Sequence, residues 1–400
     1  MIRLLLVCLV FSGAAWAEVP GKLVRVGVLT DMSGPFSDQV GPGSVAAAEL
    51  AAKDFVAEAR GLRVEIVHAD HLNKPDVGSG IARKWMDEDG VTAIVDLPNS
   101  GVALAVAALA KDRNRVALAS SSMSSDITGK ACQPTTVQWV SDTWAQGKSM
   151  AAGLAGAANG RGLKSWYFLT VNYALGLALE GDATSALKAL GGTVAGSSRN
   201  PLGTTDFASA LLQAQASGAD VLALASTGAD LINALKQAAE FGLGSKLRPA
   251  ALFILLSDVQ AIGLQIAQGL ELTEAFYWDL NEGTRAWSRR FGAAMGGRMP
   301  TADHAGVYSA TLAYLRAVRD ADTVDGVAVV AAMKAQPIAD PLFGVVTIRA
   351  DGRAVHDMYR FRVKSPAESR GAADVYTLVS VIKGDEAFRP LTEGGCAFVR

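Results

Sequence analysis

Short apolar runs alternate with longer amphipathic stretches along most of this chain. In the first part, strands are predicted at residues 23–29, 62–69, 91–96 and 116–119, and helices at residues 43–60, 75–89 and 101–112. The strands are apolar along almost their whole length, which is typical of parallel strands buried on both faces. Helical connections between such strands favour a parallel sheet covered by helices. The pattern therefore predicts an α/β fold.

A polar segment rich in turn-forming residues, residues 120–136, interrupts this alternation. Beyond it a second series begins, with strands predicted at residues 165–171, 193–198, 220–225 and 250–255 and helices between them. Two series of this kind, separated by an irregular passage, predict two similar lobes.

The last third of the chain orders its elements differently. A strand is predicted to run through Tyr277, followed by helices at residues 284–294 and 301–320 and strands at residues 345–348, 358–363 and 376–382. A tail of antiparallel strands suggests that the chain recrosses between the lobes and builds no third domain. Lobes joined by several crossings would form a cleft with a hinge at its base.

Charge and composition exclude some classes of partner. Half of the 400 residues are apolar, 19% are charged, and the formal net charge is −2. This balance is typical of a globular protein. Because lysine and arginine form no long run, we expect neither nucleic acid nor an anionic membrane surface as the main partner.

The N-terminus has the organisation of an export signal. Arg3 precedes a short apolar core at residues 4–11, and Ala15 and Ala17 stand at the two positions that signal peptidase inspects. We expect cleavage after Ala17, with residues 1–17 as the signal peptide. Cys132 and Cys396 then remain in a compartment that permits disulfides. A disulfide between them is expected, and two buried thiols are the alternative.

The motifs that would indicate an enzyme are incomplete. Residues 41–46 read G-x-G-x-x-A, but a dinucleotide site needs these glycines directly after a strand, and a long loop intervenes here. Residues 146–149 match the end of a phosphate-binding loop, yet Asp142 replaces its first glycine. His68 and His71 lie at a strand end without the helical spacing of a metal motif. We therefore predict no catalytic residue, metal or cofactor.

Polar side chains follow three predicted strands of the first lobe. They are Ser33, Ser37, Asn99, Ser100, Ser120, Ser121 and Ser122. In open α/β sheets, ligands bind beyond the carboxyl ends of the strands, where helix N-termini offer free N–H groups. A carboxylate would bind well to the hydroxyls of Ser100 and Ser122. The alternative is that these side chains only cap helices.

The second lobe offers a matching set of side chains. Tyr173, Thr227 and Asp258 each follow a predicted strand, as do Asp230 and Trp278. Tyr173 or Trp278 could stack on an apolar group of a ligand. Asp230 or Asp258 could accept a hydrogen bond from an ammonium group, or could instead cap a helix.

Several phrases of the sequence resemble a known family. VGVLTDMSGPFSDQVGPGSVAAAELAAKDF, WYFLTVNYALGLALEGD and NPLGTTDFASALLQAQASGADVLALA are similar to substrate-binding proteins of ABC transporters of the branched-chain amino acid type. The resemblance covers essentially the whole mature chain. It implies an α/β type I periplasmic binding fold with two Rossmann-like lobes joined by three crossover strands. Lobe 1 would comprise residues 18–138, completed by about 275–343, and lobe 2 residues 139–274, completed by about 344–400.

The resemblance also implies roles for individual residues. The family's carboxylate-binding groups match Asn99, Ser100 and residues 120–122, its tyrosine matches Tyr173, and its acid falls near Asp258. The aromatic residue of amino acid binders is displaced here, because Val40 stands at the aligned position and Phe36 is the nearest candidate. That departure weakens the case for a leucine-like ligand and leaves aromatic or other organic carboxylates open.

The resemblance implies that the protein captures a small carboxylate-bearing ligand in the periplasm and delivers it to the membrane subunits of an ABC permease. The protein is expected to be a monomer. One alternative is a soluble sensor for a signalling partner. Another is a hydrolase that uses Asp70, His71 or Asp258.

Overall fold

The computed structural model describes residues 19–156, 162–245 and 247–399. The predicted signal peptide and its cleavage site after Ala17 lie outside these residues. The helices are α1 (Gly41–Phe55), α2 (Pro75–Asp87), α3 (Ser100–Asp112), α4 (Thr143–Leu154), α5 (Ala174–Ala189), α6 (Ala208–Ala216), α7 (Gly228–Glu240), α8 (Leu256–Ile262), α9 (Leu264–Ala267), α10 (Glu282–Ala294), α11 (Ala302–Ala321), α12 (Gly326–Ala335) and α13 (Gly384–Ala387).

The strands of the described residues fall into four sheets. They are β1 (Leu23–Thr30), β2 (Arg63–Asp70), β3 (Ala93–Asp96), β4 (Val116–Ala119), β5 (Thr136–Gln138), β6 (Ser165–Val171), β7 (Thr193–Asn200), β8 (Val221–Ala225), β9 (Arg248–Ala251), β10 (Glu271–Glu274), β11 (Ile338–Asp340), β12 (Gly344–Ile348), β13 (Ala354–Val355), β14 (Met358–Val363) and β15 (Tyr376–Ile382).

The first lobe is built on a five-stranded parallel sheet in the order β2-β1-β3-β4-β5. Strands β3 and β4 are buried at every position, as the continuous apolar runs predict. Helices α2 and α3 cover one face of the sheet, and α1, α11 and α12 cover the other. α11 is buried along most of its length because it packs on the sheet with α1 and α12 as its neighbours.

The second lobe repeats this plan with a four-stranded parallel sheet in the order β7-β6-β8-β9. Helices α4 and α5 pack on one face, and α6 and α7 pack on the other. Strand β10 pairs antiparallel with β14, and β14 pairs antiparallel with β15. The predicted α/β fold with two parallel-sheet lobes is therefore confirmed.

Within the described ranges, the chain passes between the lobes three times, at residues 139–142, 275–281 and 356–357. The first and third passages are joined by a buried cation. Arg353 is fully buried, donates to the carbonyl oxygens of Val140 and Ala354, and lies 3.5 Å from the carboxylate of Asp142. His356 contacts the carbonyl oxygen of Trp139 at 2.9 Å. These contacts fix two of the passages side by side at the base of the cleft.

Three predicted segments differ from the structure. Strand β5 lies in a stretch predicted to be irregular, because a three-residue strand leaves no readable apolar period. The strand predicted at 250–255 ends at Ala251, and the buried side chains of residues 252–255 continue past the sheet into the turn before α8. The strand predicted to reach Tyr277 ends at Glu274, where the chain leaves the sheet to cross between the lobes.

A disulfide joins Cys132 to Cys396. It attaches the C-terminal segment to the loop that precedes β5, and Arg389 adds a hydrogen bond to the carbonyl oxygen of Ser125. In the part of the chain that the structure describes, no helix is long and apolar enough to cross a membrane.

Candidate ligand site between the lobes

The loop after β1 is organised by a buried carboxylate. Asp31 accepts hydrogen bonds from the backbone N–H groups of Gly34 (2.6 Å) and Phe36 (2.9 Å) and from the side-chain amide of Asn73 (2.7 Å). A short acid that bonds to N–H groups a few residues on is the usual way to stabilise a tight turn. These bonds hold Pro35, Phe36 and the residues after them against the second lobe.

Gln39 joins the two lobes directly. Its side-chain amide donates to the hydroxyl of Thr227 and to the carboxylate of Asp258, at 2.7 Å in each case. All three side chains are buried. Sequence reasoning missed Gln39, since a glutamine inside a loop carries no pattern that distinguishes it.

A backbone contact lies beside this bridge. The N–H of Ala229 donates to the carbonyl oxygen of Pro35 at 3.2 Å. Gly228 has φ +62, and a Cβ there would lie 2.4 Å from the same oxygen, so glycine is required for this approach. The rings of Phe36 and Tyr173 lie 6.3 Å apart, one from each lobe. The lobes are therefore in contact at the cleft.

The hydroxyls after β4 bond mainly within the first lobe. Ser121 donates to the carboxylate of Asp96, and Ser122 donates to the carbonyl oxygen of Leu97. Ser120 accepts from the N–H of Asp96 at 3.1 Å. Asp96 and Leu97 have φ angles of +81 and +61, a strained backbone that this serine cluster holds at the end of β3.

The polar side chains at the start of α3 also bond to backbone groups of the first lobe. Asn99 caps the helix by accepting from the N–H groups of Gly101 and Val102, and Ser100 accepts from the N–H of Ser124 at 3.3 Å. Among the described residues, the hydroxyl protons of Ser100 and Ser120 have no acceptor. Both side chains are fully buried. These two predicted hydroxyls of the first lobe therefore keep a proton to donate to another molecule.

Three other predicted residues have individual surroundings. Ser33 is exposed and donates to Asp70 at 2.7 Å, a contact inside the first lobe. Tyr173 precedes α5, and its hydroxyl oxygen is buried without a hydrogen-bond partner among the described residues. Asp258 caps α8 by accepting from the N–H of Leu255 at 3.0 Å, in addition to its bond with Gln39. Asp258 therefore combines the two roles that its sequence position left open, a cap and a position at the cleft.

Carboxylates are concentrated where the two lobes meet. Asp96, Asp258, Glu274 and Asp303 are each at most 3% exposed. Burial raises the pKa of Asp96 to about 6 and that of Asp258 to about 7. Burial also raises the pKa values of Glu274 and Asp303 well above the ordinary range, and the neighbouring acids add to the effect. Among the described residues, no lysine or arginine pairs with any of the four.

Sequence reasoning missed three of these acids. Asp96 ends a predicted strand and would have been found by the strand-end rule applied to the hydroxyls. Glu274 ends a strand whose predicted bounds were wrong. Asp303 lies in the first turn of α11, where an acid is common for reasons of helix stability alone.

The described histidines have structural contacts of their own. The described residues contain no group of three histidine, cysteine or acidic side chains placed to hold a metal ion. His71 accepts from the N–H of Asn73 at 3.0 Å, and burial lowers its pKa to about 4. Its role in the structure is to shape the loop after β2.

Comparison with known proteins shows which family the chain resembles in sequence and structure. The sequence matches the periplasmic binding protein family over residues 23–372. Among curated protein sequences, none matches significantly. A periplasmic binding protein from Burkholderia mallei is 39% identical, with a TM-score of 0.91 over 94% of this chain and 99% of that one.

Two further solved structures are similar. A branched chain amino acid ABC transporter periplasmic ligand-binding protein from Burkholderia xenovorans is 40% identical, with a TM-score of 0.81 over 94% of this chain and 99% of that chain. An ABC transporter solute binding protein from R. palustris, in complex with benzoate, is 19% identical with a TM-score of 0.80 over the same shares, and shows the fold alone. This chain belongs to the Leu/Ile/Val-binding-protein-like family of periplasmic binding proteins, the solute-binding components of ABC transporters.

Proposed function

We propose that this chain captures a small solute between its two lobes and delivers it, as a monomer, to the membrane subunits of an ABC permease. The observation that carries the proposal is the bridge from Gln39 to Thr227 and Asp258, which closes the lobes over buried polar groups. A solute that makes better contacts in the closed form than in the open form shifts the population towards closure. The permease would then recognise the closed form.

A carboxylate on the solute is the ligand group that we propose from the sequence. The hydroxyls of Ser100 and Ser120 are buried and keep a proton to donate, and they lie at the carboxyl ends of β3 and β4, where α/β proteins bind ligands. Phe36 and Tyr173 would enclose the apolar part of the solute from opposite lobes. Thr227 and Asp258 would contact its far end.

The first test is the recovery of bound solute. Protein purified from the periplasm would be denatured, and the released small molecules identified by mass spectrometry. Adding the recovered solute to stripped protein should then reduce the radius of gyration in small-angle X-ray scattering, because the lobes close. Recovery of a chemically altered molecule, or an unchanged radius at saturating solute, would contradict the proposal.

The permease step is tested in cells. Deleting the gene should abolish high-affinity uptake of the recovered solute, and the wild-type gene should restore it. The Gln39→Ala variant should restore less uptake at low solute concentration, because it loses the bond between the lobes. Gln133→Ala serves as the matched control, because among the described residues the side chain of Gln133 bonds only to the nearby carbonyl oxygen of Ala131. Equal uptake by the two variants would argue against closure as the productive step.

A further inference from the structure

The four buried carboxylates are supplied by both sides of the cleft. Asp96 ends β3 and Asp303 begins α11, both in the first lobe, whereas Asp258 begins α8 and Glu274 ends β10, both in the second. Three of them have protein donors, because Ser121 donates to Asp96, Gln39 to Asp258 and the hydroxyl of Tyr376 to Glu274. Asp303 is the exception.

Asp303 is 3% exposed and accepts no hydrogen bond from any described residue. Two contacts place it beside the other acids. Gly306, one turn further along the same face of α11, packs so closely on the carbonyl oxygen of Ser120 that a Cβ would be 2.7 Å from it. Thr301, which caps α11, donates to the carbonyl oxygen of Gln39 at 2.8 Å. Asp303 therefore lies between the Asp96 and Asp258 sides of the cleft.

Helix stability accounts for only part of this arrangement. An acid in the first turn of a helix gains only a small stabilisation from the helix dipole. Burying a carboxylate without a partner costs more than that, and burying it among three others costs more again. The carboxylate of Asp303, without a donor among the described residues and close to three other acids, indicates an occupant with positive charge.

The described acids are not grouped as metal ligands would be, so an organic cation fits these acids better than a metal ion does. A solute with one carboxylate and no amine would bring a further negative charge to a cluster that contains no described base. Resting on the proposed function, we infer that the solute of this cleft carries more positive than negative charge, with one ammonium group for the acids of each lobe. A diamine and an amino acid with a second amine share this chemistry.

A matched series of ligands tests the inference. Thermal unfolding of the mature protein would be followed with lysine, cadaverine, norleucine, 6-aminohexanoate and benzoate. Lysine has both amines and a carboxylate, cadaverine lacks the carboxylate, and norleucine and 6-aminohexanoate each lack one amine. We expect stabilisation by lysine, by cadaverine or by both, and at least tenfold weaker binding of the other three compounds. Lysine binding alone shows that the carboxylate is also used, and cadaverine binding at equal strength shows that it is not.

Substitutions locate the effect. Asp303→Asn should weaken binding of the stabilising compound by at least about tenfold, because a buried charge pair loses one partner. Asp385→Asn, at an exposed acid of α13, should leave it unchanged. If norleucine or benzoate stabilises the wild-type protein as well as lysine does, the inference is overturned while the proposed function stands. If no compound of either charge class stabilises the protein or reduces its radius of gyration, and no solute is recovered from purified protein, both fail.

Discussion

Closure of the empty protein should depend on pH through Asp258. Its carboxylate is buried in the closed form, next to Gln39, and burial raises its pKa from 3.8 to about 7. An acid with a raised pKa favours the closed form when it is protonated, so this contribution is lost as the pH rises through about 7. The empty protein should therefore be more closed at about pH 5.5 than at about pH 8.5.

The size of the change in closure follows from the shift in the pKa of Asp258. Three pKa units correspond to roughly 4 kcal/mol at about 1.4 kcal/mol per unit. The bond from the N–H of Leu255 lowers the pKa of Asp258 in both forms, because the two groups belong to the same lobe, so only the burial that the first lobe contributes changes on closure. If half of the shift depends on closure, about 2 kcal/mol would change the ratio of closed to open molecules roughly 30-fold.

The assay is the radius of gyration of ligand-free protein, measured by small-angle X-ray scattering at the two pH values. Asp258→Asn should remove most of the difference and keep the protein closed at the higher pH, since an amide can still accept from Gln39. Asp230→Asn is the control, because the pKa of Asp230 is also raised, to about 6, but it accepts from Gly203 within the second lobe. Equal radii at both pH values in the wild-type protein, or an Asp258→Asn variant that opens as the wild type does, would refute the reasoning.

Three further outcomes are expected. Replacing Cys132 and Cys396 by alanine should lower the free energy of unfolding, measured in urea, by up to about 5 kcal/mol, because the disulfide closes a very long loop. A loss below about 1 kcal/mol would show that the chain-entropy argument does not apply here. Arg353→Met should cost roughly 3–5 kcal/mol in the same assay, since it leaves a buried carboxylate unpaired, and an unchanged midpoint would contradict this. Gly228→Ala should prevent saturating solute from reducing the radius of gyration, because the new Cβ would meet the carbonyl oxygen of Pro35. A normal decrease in the radius would show that the lobes can close without this contact.

The sequence was sufficient for the fold because parallel strands leave a strong signal. The apolar runs at 116–119 and 165–171 have the same bounds as β4 and β6. Apolar segments that are buried outside a sheet were wrongly predicted to be strands. Residues 252–255 are apolar because they pack beneath the cleft, and periodicity alone cannot distinguish this from a strand.

The candidate site was predictable only where one rule applied to many positions. Polar residues after strands were found, and Thr227 and Asp258 lie where the lobes meet. The partners that decide their roles are remote in sequence, such as Gln39 for Asp258. Whether a hydroxyl donates to a neighbouring carbonyl oxygen or keeps its proton depends on distances of a few ångströms, as Ser122 and Ser120 show. Such distances are fixed by packing and have no counterpart in local sequence.

The passages between the lobes have a consequence for the order in which the protein can fold. The sheet of the first lobe is complete at Gln138, but α11, which covers one of its faces together with α1, begins only at Ala302. A chain that emerges from its N-terminus therefore exposes part of an apolar sheet face until most of the second lobe has followed. Contacts of such long sequence separation slow folding and prolong the time during which aggregation competes. We expect refolding to be slow and to yield more native protein when a holdase chaperone is present.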